Sequence, residues 1–333
     1  MKKFNILDCT LRDGTYVLDF MIEPDVFFLF TNELIKIGFE HIEIGHGLGL
    51  GAWRVYSSGF DDKQLWEKMA PLTDKCKTYS FFIPYIGKTD DIKIATSNGL
   101  YGLRIGLEPI YVKKYLSVIE NAKKNGLHVS LNLMKSYVIT PDSFAEIVSD
   151  MTGIVDIVYL VDSAGCMLPN EVQNYIDAAY QKCGMVSLGF HGHNNLGLAV
   201  ATSLALIDMG VDYIDTTLTG IGRSGGNVPT ETLLAILAKK YGSDFFNEER
   251  LLKTIVLANQ FKKYIVSKGK NISFRSDDIL FGYAGFHSSF ENIVRDFTEK
   301  YGLDFSQTII EISKQEQIKL SEEILWNLLI KKK

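Results

Sequence analysis

Short apolar, β-branched runs alternate along most of this chain with longer stretches whose apolar residues recur at helical spacing, the pattern of parallel βα units. The runs predict strands over 5–11, 41–45, 77–84, 102–106, 128–133, 157–161, 187–191 and 213–217. Between them the spacing predicts helices over 24–37, 61–68, 91–97, 111–125, 141–151, 169–182, 198–209 and 229–241. Pro24, Pro141, Pro169 and Pro229 stand at or near helix starts, where a missing N–H costs no hydrogen bond. About eight such strands close a (β/α)8 TIM barrel. A doubly wound open sheet is the alternative, but no GxGxxG follows the first strand. The glycine-rich run 220–226 comes too late for that role and lacks the following acidic residue, so it reads as an active-site loop.

Past roughly residue 245 the alternation stops and the pattern turns mainly helical, with helices predicted over 247–268, 289–301, 306–313 and 321–330. The chain therefore divides into a catalytic barrel, 1–245, and a mainly helical C-terminal domain, 246–333. Ile324, Leu325, Leu328 and Leu329 form an apolar stripe on the last helix that reads as a core contact.

Composition narrows the class. The chain is 46% hydrophobic and 23% charged, and no apolar run approaches the roughly 18 residues a membrane span needs. Asp8 interrupts the N-terminus before a signal-peptide core develops, so a cytoplasmic location is expected. Cys9, Cys76, Cys166 and Cys183 are scattered without a CxxC pair and read as free thiols. A net charge of −5 disfavours nucleic acid as a partner, and Lys331, Lys332 and Lys333 read as a solvated tail.

Against this background two segments carry chemistry. Arg12 and Asp13 lie just past the end of the first predicted strand, and His191 and His193 at and just past the end of the seventh. In a (β/α)8 barrel reactive groups gather at the carboxyl ends of the strands. Two histidines two residues apart on an extended segment face the same way, so both imidazoles reach one ion. One carboxylate and two imidazoles leave positions open for water and a chelating substrate, and Mn²⁺, Mg²⁺, Fe²⁺, Co²⁺ or Zn²⁺ fits such a set. Arg12 beside Asp13 is suited to hold developing oxyanion charge. Fe(II) oxygen activation would use a similar triad, but Arg12 and the barrel weigh against it.

These residues resemble a family. "LDCTLRD" at 7–13 with "HGHNNLGLA" at 191–199 is similar to the metal-dependent aldolase and lyase superfamily that shares a (β/α)8 barrel and an Arg-Asp signature. "IEIGHGLGLG" at 42–51, "VDSAG" at 161–165 and "GYAGFHSSF" at 282–290 resemble its 4-hydroxy-2-oxovalerate aldolase branch and carry the likeness into the C-terminal domain. The resemblance implies that Asp13, His191 and His193 ligate a divalent metal, Mn²⁺ above Mg²⁺, Co²⁺ or Zn²⁺, and that Arg12 stabilises the enolate of pyruvate or a related 2-oxoacid. Asn227, in "GGNVPTE", matches a metal-ligating position of the lyase branch. The implied reaction is class II aldol cleavage or synthesis of a 4-hydroxy-2-oxoacid, with an aldehyde as the second small molecule. The resemblance also implies contact between the C-terminal domain and an acylating aldehyde dehydrogenase, and a homo-oligomer is expected.

Two departures stand out. Where those aldolases place a catalytic histidine three residues after the signature aspartate this chain has Tyr16, and where they have tyrosine in the AGxYSSF segment it has His287. A histidine is the better base near neutrality, so His287 is expected to take the substrate hydroxyl proton while Tyr16 relays it or donates a hydrogen bond. The family histidine near the fourth strand is also missing, where the chain reads "LRIGLEPIY". Ser163, Lys135 and Asn132 at strand ends are expected to bind substrate; Lys135 is also placed to form a Schiff base, which would make a metal unnecessary. Arg104 and Glu108 are further specificity candidates, and Glu43, His46 and Asp162 supporting ones. An acyl-CoA Claisen synthase or lyase is the rival reading, disfavoured by the absence of cysteine from the loop 220–227. A catalytically altered metal-binding homologue is the third.

Overall fold

Eight parallel strands follow one another around a closed barrel, and β1 hydrogen-bonds to both β2 and β8 to complete it. They are β1 (Asn5–Asp8), β2 (His41–Glu43), β3 (Lys77–Phe82), β4 (Gly102–Leu107), β5 (His128–Leu133), β6 (Ile157–Asp162), β7 (Leu188–Gly192) and β8 (Tyr213–Thr216). The computed structural model describes residues 3–242, 248–272 and 274–330. The division expected at 245/246, the expected helix start at Asn247 and the tail Lys331 to Lys333 fall outside them.

Eight helices surround the strands: α1 (Pro24–Ile37), α2 (Asp62–Met69), α3 (Thr89–Ser97), α4 (Leu116–Lys124), α5 (Pro141–Met151), α6 (Pro169–Cys183), α7 (Ala199–Asp208) and α8 (Thr230–Tyr241). Pro24, Pro141 and Pro169 occupy first helical positions, as their fixed φ favours. The helix expected over 111–125 is shorter, because two 3₁₀ turns, Pro109–Tyr111 and Lys113–Tyr115, precede it. Five further helices follow: α9 (Glu248–Ser267), α10 (Ser276–Ala284), α11 (Glu291–Tyr301), α12 (Phe305–Ser313) and α13 (Glu322–Leu329). The sequence pattern missed α10.

Leu257, Phe261 and Ile265 of α9 join the apolar core that the barrel shares with its helices. Phe281, Phe286, Val294, Phe297, Ile309, Ile312, Leu325 and Leu329 form a second core of their own. The stripe on α13 is thus a core contact at Leu325 and Leu329, while Ile324 faces the cavity described below. No helix among the described residues is long and apolar enough to cross a membrane.

The first strand is shorter than expected, and the reason shapes the site. Asp8 is fully buried at its end and its carboxylate accepts from the Thr10 N–H at 3.0 Å. That local acceptor draws the chain out of the sheet, and Thr10–Asp13 becomes a single helical turn with the Arg12 and Asp13 N–H groups donating to the Cys9 carbonyl at 3.1 and 2.9 Å. Burial pushes the Asp8 carboxyl from 3.8 up to about 7, outweighing its hydrogen bonds. With the folded value above the unfolded one, its contribution to stability is complete below pH about 4 and is lost as the pH rises to about 7. Asp8→Asn keeps the acceptor but cannot ionise. Its melting temperature relative to wild type is expected to rise between pH about 5 and about 8.5; parallel curves for the two proteins would refute this origin.

Candidate active site

The turn after β1 presents Arg12 and Asp13 to the mouth of the barrel, both buried. Arg12 donates from Nη1 to Asp13 Oδ1 and from Nε to Glu43 Oε2, each at 2.8 Å. The other Glu43 oxygen lies 2.8 Å from Arg104 Nε, Arg104 pairs with Asp215, and Asp215 Oδ2 stands 2.9 Å from His191 Nδ1. A chain of alternating charge therefore runs across the barrel interior from Asp13 to His191. Each buried ion has an opposite neighbour, the condition under which such groups are tolerated. Glu43 is a support for Arg12, as the sequence suggested. Arg104 is such a support too, stacked at 4.3 Å over the Tyr159 ring and fully buried, and not a determinant of specificity at the mouth.

His191 and His193 are held in the same tautomer. Asp215 takes the Nδ1–H of His191 and the Gly226 carbonyl that of His193, at 2.9 and 3.2 Å, which leaves each Nε2 as the acceptor; that of His193 lies 3.3 Å from Arg223 Nη2. One ligand atom each from Asp13, His191 and His193 lies within 4.8 Å of the others. Burial opposes ionisation of Asp13, but Arg12, His193 and His191 together hold its carboxyl well below the usual range. Burial, helped by Arg223, lowers His193 to about 3. An ionised carboxylate and a neutral imidazole are the forms that ligate a cation. Asn227 hydrogen-bonds Asp13 through Nδ2, while its Oδ1 is buried without a partner. The amide faces Asp13 with its N–H, so its orphaned carbonyl would join the set only with the amide turned over; Asp13, His191 and His193 by themselves fit a divalent metal. Cys9, His191 and Asp215 also cluster. There Asp215 is committed to Arg104 and His191, and burial pushes the Cys9 thiol up.

Above the triad opens a cavity of about 880 Å³, walled by the barrel loops and by the C-terminal segments 288–292 and 318–324. Arg12, Asp13, Tyr16, Asn132, Lys135, Ser163, His191, His193 and His287 all line it; Asn227 lines a neighbouring cavity of about 500 Å³. Tyr16 is seated by a close approach at Gly47, where a Cβ would come within 2.7 Å of its ring. Burial raises its phenol to about 12. His287 reaches in from the C-terminal helical region with Nδ1 2.6 Å from Ser289 Oγ and Nε2 2.7 Å from Arg223 Nη1. Burial, then Arg223, lowers it well below 6.5.

Lys135 has a left-handed backbone (φ 57°), and its N–H donates to Ser163 Oγ at 2.9 Å. Its Nζ donates to the Ile318 carbonyl at 2.6 Å, lies 3.4 Å from Glu108 Oε1 and sits 4.8 Å over the Phe290 ring. Burial lowers its pKa, but the ammonium ties the barrel to the C-terminal segment, an arrangement unsuited to a Schiff-base nucleophile. Asn132 Oδ1 accepts from Ser130 Oγ at 2.8 Å. His46 stacks on Phe20 at 4.0 Å, and Asp162 accepts the Cys166 and Met167 N–H groups, each at 3.0 Å, so these two shape loops. Sequence reasoning missed Asp215 and Arg223. The signal for Arg223 was present, since it is the one charged residue in the loop 220–227.

Fold and site define a (β/α)8 barrel that sets a divalent-cation donor group beside a buried arginine at its strand ends. The HMGL-like family profile matches residues 3–256, and the chain belongs to that family. It is 30% identical over 331 residues to a 4-hydroxy-2-oxovalerate aldolase of Carboxydothermus hydrogenoformans, covering 97% of this chain and 96% of that one. An oxaloacetate decarboxylase of Mycobacterium tuberculosis is 29% identical over 314 residues, 93% and 90% of the two chains. The fold is shared with the HMG-CoA lyase of Brucella melitensis (TM-score 0.66, 16% identity, 79% of this chain and 100% of that one). It is shared also with the carboxyl transferase domain of Rhizobium etli pyruvate carboxylase (TM-score 0.77, 14% identity, 98% and 60%).

Proposed function

We propose that this protein is a divalent-metal-dependent aldolase that cleaves or forms a 4-hydroxy-2-oxoacid, with pyruvate or a related 2-oxoacid and an aldehyde as the two halves. The observation that carries the reading is the Asp13–His191–His193 donor set with Arg12 locked beside it by Glu43. It is supported by near full-length similarity to chains named 4-hydroxy-2-oxovalerate aldolase.

When bound, the metal, for which we propose Mn²⁺, supplies Lewis-acid polarisation of the oxoacid carbonyl. The protein does the rest. His287, deprotonated and facing the cavity, takes the C4 hydroxyl proton through Nε2. The C3–C4 bond then breaks, leaving an aldehyde and an enolate whose oxygen charge Arg12 neutralises. Tyr16 keeps its phenolic proton and donates a hydrogen bond to the same oxygen-rich region. Protonation at C3 gives the 2-oxoacid.

A second reading, loss of CO2 from a 2-oxo diacid to the same enolate, is favoured by the mycobacterial relative and requires no base for a hydroxyl. Both predict enolate chemistry on pyruvate. Metal-loaded protein in D2O is therefore expected to exchange the methyl protons of pyruvate with no aldehyde present. Absence of exchange with every divalent metal would overturn both readings. Aldehyde release from 4-hydroxy-2-oxoacids against CO2 release from oxaloacetate then separates them.

A further inference from the structure

The cavity holds several cations; the buried ones, Arg12 and Lys135, are matched, and a half-buried one is not. Arg12 has Asp13 and Glu43, and Lys135 has Glu108 and the Ile318 carbonyl. Arg223 is different. Its hydrogen bonds run to imidazoles, Nη1 to His287 Nε2 at 2.7 Å and Nη2 to His193 Nε2 at 3.3 Å, and its guanidinium lies 5.6 Å from the Tyr16 ring. Its Nε is buried with no partner, and among the described residues no carboxylate pairs with it. The guanidinium is half-buried, so what is left open is its Nε donor, and a buried donor without a partner is costly unless a ligand completes it.

The loop that presents Arg223 is fixed. Ser224 adopts a left-handed backbone (φ 56°), rare for a residue with a Cβ. Its hydroxyl accepts from Asn195 Nδ2 at 2.7 Å and donates to Asp278 Oδ1 of α10 at 3.0 Å, while the Gly226 carbonyl accepts the Asn194 N–H at 2.9 Å. The strained turn is bolted to both the barrel and the C-terminal domain, so the side chain is aimed.

Its direction identifies the ligand half. On the aldolase reading Arg12 serves the enolate oxygen, whereas Arg223 lies against His287, the proposed base for the C4 hydroxyl; its longer contact to His193 Nε2 gives way when that lone pair ligates the metal. The substituent on C4 is the part of the substrate nearest to it.

We propose, building on the aldolase reading, that Arg223 is the receptor for an anionic group, a carboxylate or a phosphate, carried by the aldehyde half of the substrate. A cavity of about 880 Å³ has room for such a group beyond pyruvate and a small aldehyde. An anion on Arg223 also competes with His287 for the guanidinium and leaves the Nε2 lone pair free for the hydroxyl proton.

The test compares matched aldehydes with pyruvate and metal-loaded enzyme: succinic semialdehyde against pentanal for the carboxylate, and glyceraldehyde 3-phosphate against glyceraldehyde for the phosphate. Wild type is expected to prefer the charged member of at least one pair in kcat/KM. Arg223→Leu should lose that preference by roughly 100-fold and Arg223→Lys should keep part of it. Because the preference is a ratio within one variant, general damage to the loop cancels. No charge preference in wild type, or its survival in Arg223→Leu, overturns the proposal. So does an Arg223→Leu defect confined to the KM of pyruvate in methyl exchange, which would place the oxoacid's own carboxylate on Arg223. Failure of wild type to exchange the pyruvate methyl is the distinct result that removes the aldolase reading itself.

Discussion

Asp13→Asn is expected to abolish pyruvate-methyl exchange, lowering it by about a thousandfold or more, and to leave the purified protein unable to retain a stoichiometric divalent metal. Asp13 is the single carboxylate in the donor set, and Arg12 above all keeps it ionised against its own burial. An amide has nearly the same shape and still offers an oxygen to Arg12, so the fold should survive, though with a lower melting temperature because the charge that Arg12 stabilises is gone; an unchanged circular dichroism spectrum would verify the fold. What it lacks is the charge. Asp215→Asn supplies the graded comparison, since Asp215 orients His191 without belonging to the donor set. Its expected loss of metal affinity is only about 10–100-fold. Equal metal contents in wild type and Asp13→Asn, measured by elemental analysis, would remove Asp13 from the site.

The ranking of those two substitutions also shows where sequence reasoning reaches. Asp13, His191 and His193 were legible because strand periodicity put them at the same end of a barrel and because HxH spacing on an extended segment is a local geometric fact. The strands themselves were legible for the same reason; only their ends moved, as at Leu11, where the Asp8 carboxylate captured the Thr10 N–H and turned the chain early. Asp215 was not legible. It lies inside β8, reads as an ordinary polar residue in a short strand, and gains its meaning from Arg104 at 111 positions' separation and His191 at 24. Arg223 was overlooked because its segment was read only as a glycine-rich active-site loop, and the direction of its side chain depends on a positive φ at Ser224 and a clamp from Asp278. The α10 helix escaped because its apolar residues Ile279, Leu280 and Phe281 are consecutive rather than spaced along one face.

The exchange of residues at Tyr16 and His287 gives the remaining large expectation. The two environments separate their roles by protonation state: burial lifts the Tyr16 phenol to about 12, and burial with Arg223 drives the His287 imidazole well below 6.5. At neutral pH the phenol therefore has a proton to give, and the imidazole has a lone pair to accept one. His287→Asn is expected to lower kcat for cleavage of a 4-hydroxy-2-oxoacid by about 10²–10⁴-fold with metal content unchanged, whereas Tyr16→Phe should cost less and leave the pH profile in place. The sign of the pH dependence follows from the lowered value. A base with an ordinary histidine pKa would lose half its activity near pH about 6.5; one held below that stays deprotonated through neutrality, so kcat/KM for wild type should be flat from about pH 6.5 upward and fall only on the acid side. In Tyr16→Phe the same acid limb should persist, and in His287→Asn it should vanish from the residual rate. Near-normal turnover by metal-replete His287→Asn, or a limb centred at 6.5 that survives the substitution, would assign the proton transfer to another group.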